Sequence, residues 1–150
     1  MKNLILLIYF FTALVISAQT PAEETSKQQS LYERLGGAEG ISLLVDDIVT
    51  AHMNNPIIKE RFLPYKDQPE HLSKIKENTR NFFGAGSGGP EKYTGKNMPS
   101  AHKGMKISAE EYLAVVDDIL MTMDKHKKDG QTKKDVLAIV YSLKDQIIGK

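Results

Sequence analysis

Apolar residues along this chain recur mostly at the period of a helix. Ile41, Leu44, Val45, Ile48, Val49 and His52 fall at i, i+3, i+4, i+7, i+8 and i+11, one helical face that Asn54-Asn55-Pro56 stops. Leu72, Ile75, Thr79, Phe82 and Phe83 mark a second helix over 70–83. Tyr112, Val115, Val116, Ile119, Leu120 and Met123 mark a third, and Val136, Leu137, Val140, Leu143 and Ile147 a fourth over 132–148. Ser30 with Glu33, and Ser108 with Glu111, are capping-box pairs that start helices at 31 and 109. Gly36-Gly37 ends the short first helix. Pro56 is expected to open a short turn through Arg61-Phe62, and Pro64 and Pro69 to bracket a loop. Gly84, Gly86, Gly88 and Gly89, followed by Pro90, are expected to break the second helix and open a loop to about Met98. No strand pattern and no repeat appears. The fold class is all-α, one domain of four main helices with short extras.

Ahead of the domain, Met1-Lys2-Asn3 precedes an uncharged run from Leu4 to Val15, and Ile16-Ser17-Ala18 leads into polar sequence. This reads as a signal peptide over 1–18, cleaved after Ala18. The run falls short of the ~20 residues of a spanning helix, so no stable membrane anchor is expected after cleavage; an uncleaved anchor is the alternative. Residues 19–29 read as a flexible tether and 30–150 as the domain. The expected address is secreted or periplasmic. The 150 residues carry a net charge of +1, and the leader's only charge is Lys2. The mature chain is therefore balanced, which argues against nucleic acid as a partner. Cysteine is absent, so no disulfide holds the domain.

Four histidines are the candidate chemistry: His52, His71, His102 and His126. No two share the i, i+4 spacing of a helical zinc pair. His126, among lysines at a helix end, reads as solvated, and His71, in a first turn, as a surface residue. His52 continues an apolar stripe. It is either a hydrogen-bonded interior histidine or a group that reaches a metal. His102 taken alone is a loop histidine.

Its surroundings single it out. The stretch Gly88-Gly89-Pro90-Glu91-Lys92-Tyr93-Thr94-Gly95-Lys96-Asn97-Met98-Pro99-Ser100-Ala101-His102-Lys103-Gly104-Met105-Lys106-Ile107 resembles the haem-proximal segment of the group I truncated haemoglobins. Leu31-Tyr32-Glu33-Arg34-Leu35-Gly36-Gly37, Asn55-Pro56, Phe62 and Phe82-Phe83 match the same family in order and spacing. The resemblance covers nearly the whole expected domain. It implies a 2-on-2 helical sandwich around haem b, with His102 as the iron ligand and a diatomic gas on the open face. It implies further that Phe62 stacks on the haem and that Phe83 and Met98 line it. Tyr93, Lys103 and Lys106 lie where propionates would be met, though a solvated loop explains them equally. Without the Cys-x-x-Cys-His attachment of c-type cytochromes, such a haem is held by ligation and packing alone.

The chain departs from the family on the distal side. Where relatives commonly carry an oxygen-binding Tyr stands Val49. Ile75 and Thr79 occupy the positions that face the iron, where relatives often place Gln. Thr79 alone of the three can donate a hydrogen bond, unless His52 or Tyr32 swings in. The expected function is reversible gas binding, for oxygen transport or gas detoxification. The alternatives are a nitric-oxide dioxygenase or peroxidase-like enzyme, a six-coordinate electron-transfer globin using His52 or His71, and a helical interaction domain without haem.

Overall fold

The computed structural model describes residues 28–150; the expected leader and most of the tether lie outside the described residues. Among the described residues there are eight α-helices and no strand. The order is α1 (Leu31–Leu35), α2 (Gly37–Asn54), α3 (Lys59–Phe62), a 3-10 helix (Leu63–Asp67), α4 (Pro69–Gly86), α5 (Met98–Ala101), α6 (Ala109–Lys125), α7 (Gly130–Ser142) and α8 (Lys144–Ile147). Helix α2 packs on both α4 and α6, and α6 packs on α7, which sets two long helices over two.

Local chemistry fixes the helix starts. Both halves of the capping boxes form, Ser30 with Glu33 on α1 and Ser108 with Glu111 on α6. Asp129 caps α7 by accepting from the backbone N–H of Gln131 and Thr132, both at 2.9 Å, and from the Thr132 hydroxyl. Those donors, the Thr132 hydroxyl first, hold the Asp129 carboxyl down to about 2. Gly36 at φ 97° turns α1 straight into α2, a conformation that side-chain-bearing residues rarely adopt.

The buried core is unevenly placed. Leu35, Ile41, Val45 and Ile48 meet Tyr112, Ile119 and Met123 of α6 and Val136 of α7, and the Tyr112 hydroxyl donates to the Val140 carbonyl at 2.5 Å. By contrast α3, α5 and α8 bury no residue, and α4 buries only Gly84. Leu72, Ile75, Phe82 and Phe83 of α4, which the apolar pattern sets inward, are half-buried.

Several boundaries differ from the sequence expectation. Pro56 lies in a turn, and α3 begins only at Lys59. The expected loop between Pro64 and Pro69 is the 3-10 helix, with Pro64 in its first turn, where its missing N–H costs nothing. The expected single helix over 132–148 starts two residues earlier, at the Asp129 cap, and breaks at Leu143 into α7 and α8.

Helix α4 runs through Gly84 and Gly86 instead of ending before them. Space is the reason at Gly84: a Cβ there would lie 2.5 Å from Glu91 Oε2 and 2.8 Å from Glu91 Cγ. Glu91 is held in place, since its Oε1 accepts from the Tyr32 hydroxyl at 2.8 Å. Gly84→Ala is therefore expected to lower stability, overpacking of about 1–3 kcal/mol outweighing a helix-propensity gain of about 1 kcal/mol. Gly86→Ala, whose Cβ would meet nothing nearer than Ile139 Cγ2 at 3.9 Å, should raise it. Urea unfolding of the pair checks the opposite signs.

Candidate functional site

His102 closes α5. Asn97 caps the start of that helix by accepting from the Ser100 N–H at 2.9 Å. At the other end the His102 backbone N–H donates to the Met98 carbonyl at 3.1 Å, and the ring Nδ1 lies 2.8 Å from the same oxygen. A carbonyl only accepts, so Nδ1 carries the ring proton and Nε2 keeps its lone pair. His102 is thus the end of a capped helical turn, not a residue of an open loop as its sequence context suggested. The chain then doubles back through Gly104 at φ 82° and Lys106 at φ 49°. Met105 N–H donates to the His102 carbonyl at 3.0 Å, Lys106 N–H to the Lys150 carbonyl at 2.8 Å, and Gly149 N–H to the Ile107 carbonyl at 2.9 Å.

The other expected site residues fall into small groups. Met98 joins His102 on α5. Phe83 packs against the core and meets Phe82 edge-on at 6.1 Å; Phe82 in turn meets Tyr93 at 5.6 Å, and the Tyr93 hydroxyl donates to the Lys96 carbonyl at 2.6 Å. Ile75 and Thr79 share a face of α4. The Thr79 hydroxyl donates to the Ile75 carbonyl at 2.8 Å, so its one proton is spent inside its own helix. Val49 is buried in the core, 5 % exposed. Phe62 is half-buried with its ring tilted against His52, centroids 4.8 Å apart. Lys103 and Lys106 are exposed.

His52 is a hydrogen-bonded interior histidine. Its Nδ1 donates to Asp118 Oδ2 at 2.8 Å, while Asn55 Nδ2 donates to Asp118 Oδ1 at 2.9 Å. Burial pushes the His52 pKa down, and Asp118 only partly offsets this. Asp118, 2 % exposed, escaped the sequence reading. Its signal was the stripe Ala114, Asp118, Thr122 at i, i+4, i+8, whose three members are all buried beside the apolar face of α6. Tyr32, bound to Glu91, is engaged as firmly as His52. That bond raises its pKa. His71 is exposed and edge-on to Tyr65. His126 is not the solvated cation expected: its Nε2 lies 2.7 Å from Asp47 Oδ2, and its side chain is only 19 % exposed. Asp47 on α2 supplies the partner that the local lysines could not suggest.

Arg61 was also missed. Its Nε and Nη2 donate to Glu111 Oε1 and Oε2 at 2.7 and 3.0 Å, and Nη1 donates to the Met105 carbonyl at 2.7 Å. The pairing raises the Arg61 pKa and holds Glu111 below the usual carboxylate range.

The bacterial-like globin family model matches residues 30–148. A group 1 truncated haemoglobin of Tetrahymena thermophila is 26% identical over 124 residues, 83% of this chain and 98% of the relative. One from Synechocystis sp. is 29% identical over 118 residues, 76% and 88%. The crystal structure of the Tetrahymena pyriformis truncated haemoglobin in its Fe(III) form superposes with a TM-score of 0.74 at 22% identity, covering 81% of this chain and all of that one. At that identity the superposition speaks for the fold. Haem is the cofactor of the family, and the donor chemistry here suits it: a neutral imidazole with Nδ1 bonded to a carbonyl presents Nε2 as a metal donor. With a match spanning the whole described domain and a helical sandwich of the same architecture, the chain belongs to the bacterial-like globin family, among the truncated haemoglobins.

Proposed function

We propose that this chain binds haem b through His102 and reversibly takes up a diatomic gas: oxygen, nitric oxide or carbon monoxide. The observation that carries this is the His102 Nδ1 bond to the Met98 carbonyl, which puts the proton of the neutral ring on Nδ1, leaves Nε2 as the metal donor and orients the ring. Haem held by His102 would supply the reversible binding of the gas. Phe62, Phe83, Met98 and Ile75 offer half-buried apolar surface to a large flat partner and would keep water from it. Tyr93 sits at the edge of the proximal loop. A leader over 1–18 would put this binding outside the cytoplasm.

Val49 and Ile75 carry no donor, the Thr79 proton is spent on Ile75, and His52 and Tyr32 are engaged by Asp118 and Glu91. These commitments support an apolar distal face and rapid oxygen release. They weigh against dioxygenase or peroxidase-like chemistry, which needs a placed donor.

The test is the visible spectrum of the reduced, haem-loaded protein before and after carbon monoxide. A Soret shift supports the reading, and its absence refutes it. Ile75→Gln then probes the distal face, since Ile75 is half-buried and has room, whereas Tyr at buried Val49 would overpack. One new donor is worth about 1–3 kcal/mol, so oxygen dissociation should slow by about five- to 150-fold while carbon monoxide dissociation changes far less. Stopped-flow displacement measures both.

A further inference from the structure

The segment that returns from His102 is held from across the fold by one side chain. Arg61, next to Phe62 at the end of α3, donates Nη1 to the Met105 carbonyl. The Met105 N–H in turn bonds the His102 carbonyl. The same guanidinium is fixed by its two-pronged pair with Glu111, whose Oε2 also accepts from the Ser108 N–H where α6 starts. Three points of the chain, 61, 105 and 111, therefore meet on one planar group. Such a fork fixes direction as well as distance.

We propose that Arg61 is a positioning residue for His102: it sets the height and tilt of the imidazole by holding the 102–107 turn against α3 and α6. This rests on the reading of His102 as the iron ligand. The remaining ties of the turn do not duplicate it. The Met98 carbonyl orients the ring from the N-terminal side, and the 106–107 pairing with 149–150 holds the far end. Among the described residues, Arg61 supplies the one hydrogen bond between the turn and the element that carries Phe62. Its side chain is 42% exposed, and pairs so open to water add little to stability. Its effect should therefore appear in geometry at His102 more than in melting. A lysine could satisfy the carboxylate or the carbonyl, but its single ammonium lacks the fork that meets both in fixed geometry.

The test uses the haem-loaded full chain with Arg61→Met and Arg61→Lys, with Arg34→Met as an ion-pair control on another face. Resonance Raman of the reduced, gas-free protein reads the iron–histidine stretch, and hydrogen exchange of the haem-free protein reads the Met105 amide. The expected result is a displaced or broadened stretch in Arg61→Met, a partial return in Arg61→Lys, and none in the control. Met105 exchange should quicken at least tenfold in Arg61→Met, with little change in melting temperature. A wild-type band left unchanged by Arg61→Met overturns this inference alone. No iron–histidine band in the wild type overturns the His102 reading, and this inference with it. If a variant does not fold, Glu111→Gln is read the same way.

Discussion

Replacing His102 by glycine is expected to cost more than about 100-fold in haem affinity, because loss of a mere outer partner of a metal ligand already costs about 10- to 100-fold. The fold should survive, since His102 is a half-buried cap at the end of a short helix that buries no residue. Free imidazole should then restore the five-coordinate spectrum by binding where the side chain stood. Retention of a wild-type spectrum without imidazole would assign the iron to another residue. His71→Ala is the matched control and should leave the spectrum unchanged, because His71 is exposed and lies against Tyr65.

Asp118→Ala is expected to be strongly destabilising. It strands the buried His52 Nδ1–H, removes the acceptor of the half-buried Asn55 Nδ2–H and leaves a hole beside them. Each stranded donor costs about 1–3 kcal/mol, so the sum is about 2–6 kcal/mol, or about 8 °C and upward in melting temperature for a domain of this size. Asp118→Asn, which keeps the shape and one acceptor, should cost clearly less. The same cluster gives a pH dependence. His52 is neutral in the fold to a lower pH than in the unfolded chain, whose ordinary value is 6.5. The unfolded chain thus binds a proton that the fold refuses, and stability falls as pH drops through 6.5 toward the lower folded value. His52→Gln should flatten that slope in urea titrations between pH 7 and 5. An unchanged slope would mean that another group supplies it.

Helix existence was legible because burial imposes a period on sequence. The stripes of α2, α6 and α7 are the core, and both capping boxes form where Ser precedes Glu by three. Boundaries governed by tertiary space were not legible. Nothing local says that Gly84 stays helical to make room for Glu91, or that Asp47 waits for His126 across the fold. That Val49 and Ile75, which the proposed reading sets on the distal face, carry no donor is legible in the sequence itself. The engagement of Thr79 by its own helix, of His52 by Asp118 and of Tyr32 by Glu91 required coordinates, since each partner but Ile75 is distant in sequence. Arg61 was hidden for the same reason, as its partners are a carboxylate and a backbone carbonyl more than forty residues away.

The concentration of the buried core in α1, α2, α6 and α7, with Ile58 ahead of α3 the exception, has a consequence for how a large cofactor gets in. Helices α3, α4 and α5 contribute little fully buried apolar surface of their own, α4 meeting the core through half-buried Leu72 and Phe83, so that side of the sandwich is expected to open before the rest. A planar ring the size of a porphyrin could then enter edgewise while the other helices remain a finished scaffold. The bound ring would add its binding free energy to the more weakly held half of the molecule.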